Sequence, residues 1–191
     1  MSDHWNRCTK IHLGKFVFGL RRNKRLCDLL VSSEIPLPPK AGKQGKSLPF
    51  CDKEECIYCF CLDKSGQITS HTLNKSFGCK TNICCKSSNV VYCLECKVCG
   101  KQYVGQTKRT FHERVREHFR NIRKGLQKEP LGRHFNLKDH KNDPTQVKAH
   151  ILSFITAPPD SPEARKMRLK FELSWIYKLR TSLPMGLNSM D

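Results

Sequence analysis

Between Asn89 and Leu179 the spacing of apolar and polar residues changes several times, and each change predicts an element. "NVVYCLE" and "KQYVGQT" have strand composition, and the turn "CKVCG" between them predicts a β-hairpin. In "TFHERVREHFRNIRKG" the residues Phe111, Val115, Phe119 and Ile122 recur at helical spacing. Thr110 and Glu113 form a capping box at its start, and Gly125 ends it. "QVKAHILSF" alternates as a third strand, with Val147, Ala149 and Ile151 on one face. Ser161 as N-cap and Pro162 at the first helical position open a last helix through "MRLKFELSWIYKL". Met167, Phe171, Trp175 and Leu179 mark one apolar stripe there, and Leu169, Leu173 and Ile176 another, so burial around much of the helix is expected, with Glu172 between the stripes. The order β–β–α–β–α predicts a small α+β domain with a three-stranded antiparallel sheet flanked by helices.

Upstream this pattern fades. The prolines and glycines of "PLPPKAGKQGKSLP" sustain neither helix nor central strand, so residues 1–50 read as a basic, partly disordered linker. From Cys51, "CDKEECIYCFC" and "CKTNICC" carry many cysteines and too few apolar residues for a separate core. Residues 51–88 are therefore expected to be a cysteine-rich module cross-linked by metal, and residues 89–191 the folded domain. A length of 191 residues suits one ordinary domain with a smaller module and excludes a large multidomain enzyme.

Charge narrows the partner. Lys and Arg number 35 against 17 Asp and Glu, a formal +18, which predicts attraction to a polyanion, with nucleic acid first. Twelve cysteines would suit a secreted disulfide scaffold, but "IHLGKFVFGL" is interrupted by Gly14 and Lys15 and is no signal peptide. No stretch approaches the roughly 20 apolar residues of a membrane span, so no membrane partner is expected. An intracellular, zinc-bearing protein follows from the Cys-x-x-Cys spacings.

Cys96 and Cys99 have the spacing of a zinc knuckle, and "HFNLKDH" supplies His134 and His140, completing a Cys₂His₂ set. Four protein ligands leave no open position, so this zinc is structural and ties the hairpin turn to the loop after the first helix. The alternative is two reduced cysteines beside surface histidines. Cys51, Cys56, Cys59 and Cys85 make a second candidate zinc set, for which Cys61, Cys79 and Cys84 compete.

Eleven positions separate Tyr92 of "VVY" from Tyr103 of "YVG", and a helix bearing Arg114 and His118 follows. This combination resembles the GIY-YIG endonuclease domain, departing from it at the first two positions of the first tripeptide. Cysteines between the tripeptides, "HFNLKDH" and the ending "ELSWIYKLRTSLPMGLN" are similar to the endonuclease of Penelope-like retroelements, over roughly residues 85–188. "FGLRRNKRLCDLLVSSEIP" and "FCDKEECIYCFC" look like the linker those elements carry before it. No polymerase accompanies them, so the chain is expected to be the tail of such an element, or a derived gene beginning at Met1.

The resemblance implies a metal-dependent DNA endonuclease. Phosphodiester hydrolysis needs a divalent ion held by oxygen, and Glu172 would hold Mg²⁺ or Mn²⁺. The competing account of Glu172 is an i,i+4 pair with Arg168. Arg114 would neutralise the scissile phosphate, Tyr92 would accept the proton of the attacking water or orient it, and Tyr103 would bond the phosphate or metal-bound water. Gly105 would allow close approach, His118 would join the active site rather than only the core, and Asn188 would support the site. Lys108, Arg109, Arg116, Arg120, Arg123 and Lys124 would grip the DNA backbone. RNA or a reverse transcriptase in trans are further partners so implied, and the run "RRNKR" with a DNA substrate suggests the nucleus. The rival from another class is a noncatalytic, zinc-stabilised nucleic-acid-binding protein.

Overall fold

The cysteine-rich stretch folds into little regular structure, because it offers few apolar residues. It contains one helical turn, α1 (Ile57–Phe60), and a hairpin of β1 (Gln67–Thr69) and β2 (Ser76–Gly78). These positions come from a computed structural model that describes Cys51, residues 56–81 and residues 83–189, all within the unit Lys46–Asp191. The basic run and the proline-rich linker expected in residues 1–50 lie outside the described residues.

Downstream, β3 (Ser88–Cys96) and β4 (Gln102–Thr110) pair antiparallel, with Tyr92 opposite Gly105 and Leu94 opposite Tyr103. Both strands run further than their hydrophobic pattern, because β4 continues directly into the cap of α2 (Phe111–Arg123). The Thr110 side chain accepts from the Glu113 N–H, and the Glu113 carboxylate accepts from the Thr110 N–H. Phe111, Val115, Phe119 and Ile122 are all buried, as their spacing predicts. A short helix, α3 (Pro130–Phe135), leads to β5 (Val147–Phe154), which pairs antiparallel with β3. The sheet order is β4-β3-β5, and Val147, Ala149 and Ile151 share one core with Tyr92, Leu94 and the apolar side of α2.

Both outer edges of this sheet are used. The cysteine-rich stretch covers β5, through Ala149 N–H to Cys61 O at 2.7 Å, Asp63 N–H to Ala149 O at 2.8 Å and Lys80 N–H to Ile151 O at 2.9 Å. Ile68 of β1 packs with Val91, Val104 and Trp175, so this stretch borrows the core of the sheet. On β4 the C-terminal segment closes one end, through Leu187 N–H to Gln102 O at 3.0 Å. The Asn188 amide stands in for a strand there, accepting from Val104 N–H at 2.9 Å and donating to Val104 O at 2.8 Å. The rest of that edge, from Gly105 onward, borders the site.

The last helix, α4 (Pro162–Leu179), is capped by Ser161 and packs Ala164, Trp175 and Leu179 against Val91, Cys93 and Val104 on the face opposite α2. Burial around much of its circumference is not observed. Met167 and Leu169 are exposed, since a helix lying on a sheet buries a single stripe. Within that stripe lies Arg168, which donates to Gln106 Oε1 and Pro159 O and bonds Asn89 Oδ1, so its hydrogen bonds go to neutral partners and not to Glu172, as the competing account of Glu172 would have required.

Candidate active site

Tyr92 lies mid-strand in β3, fully buried, with its phenol passing beneath its cross-strand neighbour Gly105. A Cβ at Gly105 would stand 2.7 Å from Tyr92 Oη and 3.0 Å from Tyr103 Cε1. Only glycine leaves that space. Gly105→Ala is therefore expected to displace the tyrosine hydroxyl and slow catalysis about 100-fold with little loss of folding, as single-turnover kinetics beside a thermal melt will show.

From α2, Arg114 Nε donates to Tyr92 Oη at 3.1 Å, and its Nη1 donates to Glu117 Oε2 at 2.9 Å. His118, one turn on, places Nε2 at 2.8 Å from the same hydroxyl. The guanidinium only donates, so Tyr92 Oη accepts from it; with His118 as the Nδ1–H tautomer the phenol donates in turn to Nε2. That requires a neutral imidazole. Burial, reinforced by the Arg114 charge, pulls His118 down to about 3 and keeps it so. Burial, with Tyr103 adding, holds Tyr92 well above the ordinary tyrosine range, and Arg114 opposes both.

Glu172 approaches from the other face of the sheet. Burial raises its carboxyl to about 7, while Arg114 and the backbone N–H of Gln106 favour the charged form. Gln106 follows Val104 by two residues, so its N–H belongs to the same outer edge that Asn188 closes further along. Arg114 from α2 and Glu172 from α4 thus meet around one strand edge. Tyr103 is half-buried nearby, raised by burial and lowered by Arg114.

Three supporting residues escaped the sequence reading. Glu117 steers Arg114 and also bonds Arg109, and its i,i+3 spacing from Arg114 was the available signal. Gln106 carried no local signal, and the i,i+4 spacing of Arg168 from Glu172 pointed away from the bond to Gln106 by which Arg168 joins α4 to β4.

Two ligand sets converge. Cys96, Cys99, His134 and His140 bring their ligand atoms within 4.8 Å of one another, as do Cys51, Cys56, Cys59 and Cys85. Cys96 Sγ lies 3.8 Å from His140 Nδ1 and Cys99 Sγ 3.5 Å from His134 Nε2. Cys85 Sγ lies 3.6 Å from both Cys56 Sγ and Cys51 Sγ. A tetrahedron built on ordinary Zn–S and Zn–N bonds has edges of about 3.5–3.8 Å, so both sets fit that ion. Burial lowers His134 to about 4, leaving a neutral imidazole suited to coordination. Among the competing thiols, Cys61 instead donates to Tyr58 O at 3.2 Å, and burial pushes it up to about 12.

The expected DNA-gripping cations divide. Lys108 pairs with Asp160 at 2.8 Å, and Arg109 with Glu117. Arg116, Arg120, Arg123 and Lys124 are exposed on α2. At 100° per residue they leave that helix roughly 80–180° around from Arg114.

Residues 88–188, just over half of the chain, match the GIY-YIG catalytic domain. Among solved structures, the catalytic domain of homing endonuclease I-TevI is similar at 23% identity, covering 53% of this chain and 98% of that one, with a TM-score of 0.40. No curated protein matches.

Proposed function

The chain belongs to the GIY-YIG catalytic-domain family, and from that premise we propose that it is a divalent-metal-dependent DNA endonuclease of the Penelope-like type that nicks one strand at a time. The observation that carries the proposal is the meeting of Arg114, Tyr92 and Glu172 around the edge of β4. Glu172 is the carboxylate that would hold Mg²⁺ or Mn²⁺, which when bound supplies a Lewis acid beside the phosphate. A carboxyl raised to about 7 by burial suits this role, because a nearby dication favours the ionised form.

Arg114 keeps one side of its guanidinium for the phosphate while Nε holds Tyr92 Oη. Tyr92 Oη accepts from Arg114, donates to His118, and has a remaining lone pair for the attacking water. Tyr92 Oη orients that water through this lone pair, since burial leaves His118 too weak a base to take up a proton at neutral pH. Tyr103 bonds the phosphate or its water, and Asn188 positions the strand that carries both Tyr103 and Gly105.

The Penelope-like assignment is supported by the Cys₂His₂ set between and after the two tripeptides, with zinc as its structural ion. The cysteine set at Cys51, Cys56, Cys59 and Cys85 is a second structural zinc site in this reading. One centre per chain favours nicking. Such an enzyme acts on nuclear DNA, with RNA and a reverse transcriptase in trans as further partners. Among the described residues, no helix is long and apolar enough to cross a membrane.

Supercoiled-plasmid conversion in Mg²⁺ or Mn²⁺ tests this, comparing the native chain with Glu172→Ala at equal zinc content and DNA binding. Open circles are expected from the native chain, at a rate about 1,000-fold or more above the variant. Intact plasmid in every lane despite binding would instead support a noncatalytic nucleic-acid-binding protein.

A further inference from the structure

A strand positioned at Arg114 and Glu172 needs cations on its own side of the molecule, and the exposed basic stripe of α2 points away from it. A groove of about 500 Å³ lies between the end of β4 and the first half of α4, lined by Lys108, Asp160, Arg165, Lys166, Arg168 and Leu169 among others. Four cations face one carboxylate there. Arg165 and Glu172 are seven residues apart and therefore share one side of α4, about 10 Å along its axis. Gln106 links the groove to the active site, since its side chain bonds Arg168 and its N–H faces Glu172.

Arg168 supplies a second, independent observation. It is only 4% exposed, and its hydrogen-bond partners Asn89, Gln106 and Pro159 are all neutral. None of its hydrogen bonds goes to a carboxylate, so the exposed Asp160 nearby offsets its charge only in part, and a phosphate in the groove can complete that arrangement. The Lys108–Asp160 pair at 2.8 Å is exposed on both sides, so a phosphate can take the place of Asp160 at small cost.

We propose that this groove holds the DNA backbone adjoining the scissile phosphate, gripped by Lys108, Arg165 and Lys166 over the fixed charge of Arg168. Asp160 holds Lys108 in the free protein and weakens nonproductive binding. The proposal rests on the DNA-endonuclease reading and adds a contact surface to it.

Duplex binding by the full-length chain, measured by anisotropy across a salt series without added Mg²⁺, tests the groove. Replacing Lys108, Arg165 and Lys166 together by alanine is expected to weaken binding about 10–100-fold at moderate salt and to reduce the log–log salt slope by about 2–3, near 0.9 per lost phosphate contact. Asp160→Asn should tighten binding about 2–5-fold by freeing Lys108. Zinc content and melting temperature, equal to the native chain, certify folding. Unchanged affinity and slope in the triple variant, or weaker binding by Asp160→Asn, would overturn the groove. If the native chain cleaves and the triple variant binds normally, the groove alone fails. If the native chain binds without cleaving and the slope falls as expected, the nuclease reading fails and the groove stands. Absence of duplex binding overturns both.

Discussion

Arg114→Lys is expected to slow single-turnover plasmid nicking by about 100–1,000-fold, although the charge is retained. Lysine is a point donor on a flexible stem. It cannot hold Tyr92 Oη, lean on Glu117 and present a flat pair of donors to a phosphate together. Losing the Nε bond also frees the Tyr92 hydroxyl to rotate, so its proton is no longer committed to His118. Duplex affinity should change far less than rate, because one phosphate contact among several is altered. A rate within about threefold of the native chain would remove Arg114 from the centre of this mechanism.

The second large effect concerns folding. Metal analysis under reducing conditions is expected to find two zinc ions per native chain, and one in either Cys96→Ser or Cys59→Ser. Cys96→Ser should also lower the melting temperature by more than 10 °C. Structural zinc contributes free energy comparable to the whole stability of a small domain. Each kcal/mol lost moves the transition of a unit this size by about 2–4 °C. The Cys96 set ties the β3–β4 turn to α3 and the segment after it, a gap also crossed by hydrogen bonds from Lys97 to Gln146 O and Thr145 O. Native melting by Cys96→Ser with full zinc content would refute the assignment.

Much of the framework was legible because its signals are local. The capping box at Thr110 and Glu113, the spacing of Phe111, Val115, Phe119 and Ile122, and the Ser161–Pro162 start each act within a turn or two of helix. The same locality misled at α4, where apolar residues in two stripes predicted wide burial. Met167 and Leu169 instead face solvent, and Arg168 lies beneath, because the sheet offers one surface and Gln106 and Asn89 happen to await it.

By itself the sequence determined the hairpin, both long helices, the basic character, and the residue types from which a GIY-YIG site and two metal sets are assembled. Spacing alone left seven upstream cysteines in competition. Tertiary structure brought Cys51, Cys56, Cys59 and Cys85 together and turned Cys61 to a backbone carbonyl. It also decided that Tyr92 passes under Gly105 to reach Arg114 and His118, that Asn188 closes the strand edge, and that Glu172 comes around from the opposite face. The Tyr92–Arg114 and Val104–Asn188 contacts join residues 22 and 84 positions apart in the chain. Periodicity and capping act over a few residues, so contacts at such separations are specified only when the sheet and its two flanking helices pack.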